Sequence, residues 1–170
     1  ERFGLLLGPL DDEAGAHALL TTALEDPDAE AWVRDAARME GALAGNYDLL
    51  ALAHDALTTG ASAEVAAAHH VAAARARLRA KNVDGAEKSL RAALAESPGS
   101  RYAVTLLEEI LRARGDADEV VQLLRNAADA QRGAEAELNL LLAGAAAEAG
   151  NEHALAADTY REALAQNPDA

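Results

Sequence analysis

Cysteine is absent from the 170 residues, which excludes a disulfide frame, a thiolate metal site and a thiol nucleophile. Aromatic residues are nearly as scarce, with one Trp, one Phe and three Tyr. Few runs of Val, Ile or Thr alternate with polar residues, so nothing argues for strands. No apolar run approaches the roughly 20 residues that a bilayer span takes, and Glu1–Leu7 lacks the basic start and long apolar stretch of a signal peptide. The chain reads as soluble and not inserted in a membrane, with the cytoplasm favoured as its compartment. It begins with Glu1 instead of Met, which points to a piece of a longer or processed protein.

Signs of chemistry are missing too. No Gly-rich phosphate loop follows a strand, and no G-x-S-x-G or H-E-x-x-H occurs. His69-His70 is the one adjacent histidine pair, and neighbours on a helix point about 100° apart, so they cannot grip one metal from one face. His54 and His153 are assigned to different repeats, whereas a zinc site takes three or four converging ligands. The acids are spread as solvated faces, with no pair set in an apolar pocket to raise one pKa. The expectation is a chain with no catalytic residue, no metal and no cofactor.

What is present is alanine and leucine, the bulk of a 51% hydrophobic composition. Both are strong helix formers, and alanine lets helices approach closely, so the expected class is all-α. The net charge of −14 is uneven. Residues 1–66 hold three arginines against thirteen acids, while residues 67–100 hold six bases against three acids. Overall acidity argues against nucleic acid, because phosphate binding needs a broad basic footprint.

The strongest signal is periodic. Gly45-Asn46-Tyr47, Lys81-Asn82-Val83, Gly115-Asp116-Ala117 and Gly150-Asn151-Glu152 begin 36, 34 and 35 residues apart. Out of phase with them, Pro27, Pro98 and Pro168 are separated by 71 and 70 residues, two periods each. Within a period the apolar residues fall at helical spacing: Leu140, Ala143, Gly144 and Ala147, then Ala156, Tyr160 and Ala163. The preceding periods give Val104, Leu107 and Leu111, then Val120, Leu124 and Ala127, and before them Ala73 and Ala74, then Ala86, Leu90 and Ala93. Helices are predicted near 11–25, 29–43, 47–58, 63–80, 84–96, 101–113, 117–130, 135–149 and 152–166. Asp84 and Asp116 are the expected cap acceptors of two of them, each with an acid three residues on. Trp32, Ala36, Met39 and Leu43 share one helical face and are assigned to the core, as is Tyr160. Tyr47 is expected to pack between helices.

These residues resemble the tetratricopeptide repeat family, whose 34-residue unit has the pattern W-x2-L-G-x2-Y, A-x3-F, A and P. Residues 137–170 match best, through Leu140, Ala143, Gly144, Ala147, Ala156, Tyr160, Ala163 and Pro168. Residues 67–100 keep Ala74, Ala86, Leu90, Ala93 and Pro98. Residues 101–134 depart at Glu108, where a small residue is expected, and at Arg132, where proline would stand. The turn of the first full repeat reads as longer by a residue or two. The division that follows is a single array, with a half repeat over 1–28 and repeats over 29–62, 63–100, 101–134 and 135–170.

The resemblance implies a right-handed α-solenoid whose concave face is lined by the first helix of each repeat. Its outward residues would be Val71, Arg75, Arg79, Tyr102, Thr105, Glu109, Arg112, Leu138 and Leu141. Arg75, Arg79 and Arg112 would form a basic strip beside Tyr102, suited to an acidic or carboxylate-bearing protein or peptide. The Lys/Asn/Lys/Arg set with which some family members grip a C-terminal carboxylate is absent. The expected function is a non-catalytic protein-interaction module. The alternatives are an assembly scaffold that self-associates or docks on its own chain, and a recruiting appendage of a larger enzyme. For self-association the C-terminal end is the expected surface, through Leu155, Ala156, Tyr160, Ala163 and Leu164.

Overall fold

A computed structural model describes residues 12–26 and 29–166. Glu1–Leu7, Pro27, Asn167 and Pro168 lie outside the described residues. Among those described there are nine helices and no strand: α1 (Glu13–Leu24), α2 (Ala31–Leu43), α3 (Tyr47–Ala56), α4 (Ala63–Arg79), α5 (Val83–Glu96), α6 (Arg101–Arg114), α7 (Ala117–Asp129), α8 (Ala134–Ala149) and α9 (His153–Gln166). The chain forms two compact units, the first ending at Ala93 and the second beginning at Leu94.

The four recurring turns share one physical device. Each carries a single residue in the left-handed region directly after a helix: Gly45 (φ 67°), Lys81 (φ 62°), Gly115 (φ 86°) and Asn151 (φ 64°). A left-handed residue there lets the following N–H groups turn back onto the helix's last carbonyls. Asn82 N–H accordingly donates to Arg77 O (2.8 Å), Asp116 N–H to Leu111 O (3.1 Å) and Glu152 N–H to Ala147 O (2.8 Å). The next helix is then capped from the same turn. Asn46 Oδ1 accepts from Leu49 N–H (3.1 Å) and Asn82 Oδ1 from Gly85 N–H (2.9 Å). Two expected caps are thereby corrected. Asn82 takes the role assigned to Asp84, which lies inside α5, and Asp116 holds the N-cap position without a side-chain cap bond.

In the first unit α1 packs on α2 and α3, α2 on α3, and α3 on α4. Leu20, Val33, Ala37, Leu49 and Ala53 form one buried cluster there. An ion pair reinforces the stack: Arg77 of α4 grips the Asp55 carboxylate of α3 with both terminal nitrogens and also donates to Ser89 Oγ of α5. In the second unit α6 packs on α7, α7 on α8, and α8 on α9. Ala103, Val104, Leu107, Ile110 and Leu111 form the buried stripe of α6, answered by Val120, Val121, Leu123, Leu124, Ala127 and Ala128 of α7. Arg125 ties α7 to α9 by donating to Thr159 Oγ1 (3.0 Å) and to Glu162 (2.9 Å).

The predicted core of α4 to α9 is buried where expected, with Tyr160 only half-buried. Its ring lies over Gly144, where an added Cβ would collide with it, and its hydroxyl donates to Glu148 Oε2 (2.9 Å). The first repeat departs further. Trp32, Met39 and Leu43 are 54%, 56% and 81% exposed, while Val33, Ala37 and Gly41 make the buried stripe of α2. Gly41 is the reason. A Cβ there would stand 2.7 Å from Leu50 N and 2.9 Å from Leu50 Cα, so α2 meets the α3 backbone at its glycine and turns Trp32 away. Its turn over 44–46 has the same length as those over 80–82 and 150–152 and is one residue longer than that over 115–116.

Candidate interaction surface

Of the residues predicted to face a groove, Val71, Arg75 and Arg79 belong to the first unit and the rest to the second. Val71 is half-buried; Arg75 and Arg79 are exposed. Arg79 does not extend freely, since its guanidinium carbon stands 5.5 Å from the centroid of the Tyr47 ring. That cation–π contact fixes Tyr47 between α3 and α4, in the packing role the sequence suggests.

On α6, Tyr102, Thr105, Glu109 and Arg112 are all exposed along one face, Tyr102 at 79%. Arg112 Nε donates to Glu108 Oε1 (2.9 Å), one turn back, so Glu108 holds this arginine along its own helix. On α8, Leu138 and Leu141 are 50% and 41% exposed, with Leu142 beside them. Arg75, Arg79 and Arg112 are thus all exposed, and two of the three already have partners within the chain. The sequence alone did not pair Arg79 with Tyr47, which lies on the preceding helix.

Two histidine clusters lie outside the predicted set, both in the first unit. In one, Asn46 Nδ2 donates to His17 Nδ1 (3.1 Å), and His17 Nε2 faces Glu40 Oε1 at 3.2 Å and Glu13 Oε1 at 3.9 Å. Because Asn46 Oδ1 is fixed by the α3 cap, its amide is the donor to His17, and the imidazole proton therefore sits on Nε2 and points at Glu40. In the other, His54 of α3 and His69 of α4 bring their Nδ1 atoms to 3.1 Å, with ring centroids 5.4 Å apart. Burial first, then the proximity of His69 and Arg38, lowers the His54 pKa to about 4, and burial lowers that of His69. Both rings are neutral at pH 7. The sequence separates these residues by fifteen positions, and only the close packing of α3 on α4 brings them together.

At the end of the second unit Ala156 and Ala163 are buried, Leu155 and Tyr160 half-buried, and Leu164 is 70% exposed. The apolar end expected from the sequence therefore contracts to Leu164 and its surroundings, because α8 covers the two alanines.

These features define a class: an all-α chain of consecutive helices packed in hairpins around an alanine and leucine core, with apolar side chains left exposed on several helices. No helix among the described residues is long and apolar enough to cross a membrane. No protein family's sequence profile matches the chain, and no curated protein matches it in sequence.

Proposed function

We propose that the chain is a tetratricopeptide-like right-handed α-solenoid and acts as a non-catalytic protein-interaction module. One observation carries the reading. The core is built from alanine and leucine, yet two of only five aromatic residues, Trp32 and Tyr102, stand 54% and 79% exposed on helix surfaces. Burying those rings would have been the stabilising choice for the isolated fold, and Trp and Tyr are the residues most enriched where protein partners bind. Each unit offers its own surface: Trp32, Met39 and Leu43 along α2, and Tyr102 with Thr105 and Arg112 along α6.

The ligand of either surface is a protein segment that supplies apolar side chains to that surface's row, with acids for Arg75 in the first unit or for Arg112 in the second. A displayed random-peptide library selected on the chain tests this. The expected result is enriched apolar-acidic peptides that lose at least tenfold in affinity to Tyr102→Glu or Trp32→Glu, about 1.4 kcal/mol or more, with the helical spectrum unchanged. Failure to enrich any peptide, or binding indifferent to both substitutions, overturns the proposal. A second reading, self-association, is favoured by Leu164 at 70% exposure. Sedimentation equilibrium of the chain and of Leu164→Glu tests it, a monomer in both cases ruling it out.

A further inference from the structure

Each of the two histidine clusters of the first unit could be taken for a metal site, and their hydrogen bonding separates them. At Glu13, His17 and Glu40 the ligand atoms lie within 4.8 Å of one another. His17 Nδ1 accepts from Asn46, however, which leaves the proton on Nε2, the atom that faces both carboxylates. A cation there would have to displace that proton or break the Asn46 cap of α3. That cluster is a structural clasp of α1 on α2 and the α3 start.

His54 and His69 are placed differently. We propose that their two Nδ1 atoms form a chelating site for a divalent transition cation of imidazole preference, with zinc, nickel or copper as the chemical class and water completing the coordination. The distance suits it. With metal–nitrogen bonds of about 2.0–2.1 Å, donors 3.1 Å apart subtend an angle of about 100° at the cation, between the octahedral and tetrahedral values. Neither imidazole is protonated to a cation at neutral pH. Binding therefore releases no net proton: the single Nδ1 proton shared by the pair moves to the Nε2 of its ring, and each Nδ1 then presents a lone pair.

The surrounding charges oppose a cation more than they favour one, so the chelating geometry has to outweigh them. Arg38 of α2 opposes a cation at both rings, and Asp35, next to it on α2, favours one at His69. Asp55 favours one at His54, although Arg77 holds its carboxylate. His70 follows His69 on α4 and acts on it in the same direction as Arg38. Both rings are half-buried, so the pair is open to solvent on one side. Since the ligands come from α3 and α4, the cation would clip these two helices together, and binding to the folded form alone would stabilise it.

Calorimetric titration of the whole chain with zinc chloride at pH 7 tests the site, beside His54→Gln, His69→Gln and His17→Gln. One zinc per chain is expected, with affinity unchanged in His17→Gln. It should fall by at least about tenfold in the other two variants, since loss of an outer-shell partner alone costs that much. In the unaltered chain, histidine ring NMR signals should respond to substoichiometric zinc at His54 and His69 before His17, His70 and His153. No saturable binding, a loss confined to His17→Gln, or first response at another histidine overturns the assignment.

Discussion

A single absent methyl group decides which face of α2 is inside. Gly41 meets the backbone of Leu50, and Gly144 lies under the ring of Tyr160, so both positions admit hydrogen and little more. Gly41→Ala should lower stability by about 1–3 kcal/mol, and Gly144→Leu by a similar amount, because a tightly packed contact cannot take added volume without strain. Trp32→Gln should stay within about 0.5 kcal/mol, because the side chain is exposed and its hydrogen bond, from Nε1 to Glu30 Oε2 (3.0 Å), is exposed as well. Urea midpoints of the three variants check the set, and a large loss at Trp32 with none at Gly41 would restore the tryptophan to the core. His54 supplies the pH dependence. Its folded pKa of about 4 lies below the ordinary 6.5, so the unfolded chain binds more protons between those values. Stability therefore rises with pH across that window and falls on acidification from pH 7 to 5. His54→Gln should flatten the fall in urea midpoint; an undiminished fall would show that His54 is not its source.

Between helices, the polar links are few and specific. Arg77 serves both Asp55 and the buried Ser89, whose own hydroxyl donates to Gly85 O (3.1 Å). Thr159 stands two periods later in the chain with the same back-bond, to Leu155 O (2.8 Å), and likewise receives an arginine. Arg77→Ala strands a half-buried carboxylate and a buried hydroxyl, and should cost about 1–3 kcal/mol. Adding Asp55→Ala should cost less than the sum of the single changes, since the two residues share one interaction. Additive losses in a double-mutant cycle would mean that the pair contributes nothing. At this scale the sequence was most legible. Helix positions followed from apolar spacing, and the breaks from Gly45, Lys81-Asn82, Gly115 and Gly150-Asn151. What escaped it was rotation about an axis. Trp32, Ala36, Met39 and Leu43 have a helical spacing as regular as that of Val33, Ala37 and Gly41, and only the close approach at Gly41 distinguishes them. Partners between helices escaped as well, since nothing local in the sequence joins His54 to His69, Arg79 to Tyr47 or Arg125 to Thr159.

For the molecule as a whole, the charge of −14 sets the solution behaviour, and the basic residues 67–100 are its exception. Binding of an acidic peptide that involves Arg75 should weaken as salt rises, because exposed charges are screened beyond roughly 8–10 Å at physiological ionic strength; affinity indifferent to salt would shift the recognition to the apolar rows. Every assignment of an inward or outward face depends on the register of the nine helices among the described residues, four of whose connecting turns carry a left-handed residue. Backbone NMR reads that register directly, through carbon shifts for helix and through couplings for the sign of φ. Helical stretches matching α1 to α9, with positive φ at Gly45, Lys81, Gly115 and Asn151, are the predicted result. A strand in any of these segments, or helix running unbroken through one of the four turns, would contradict it.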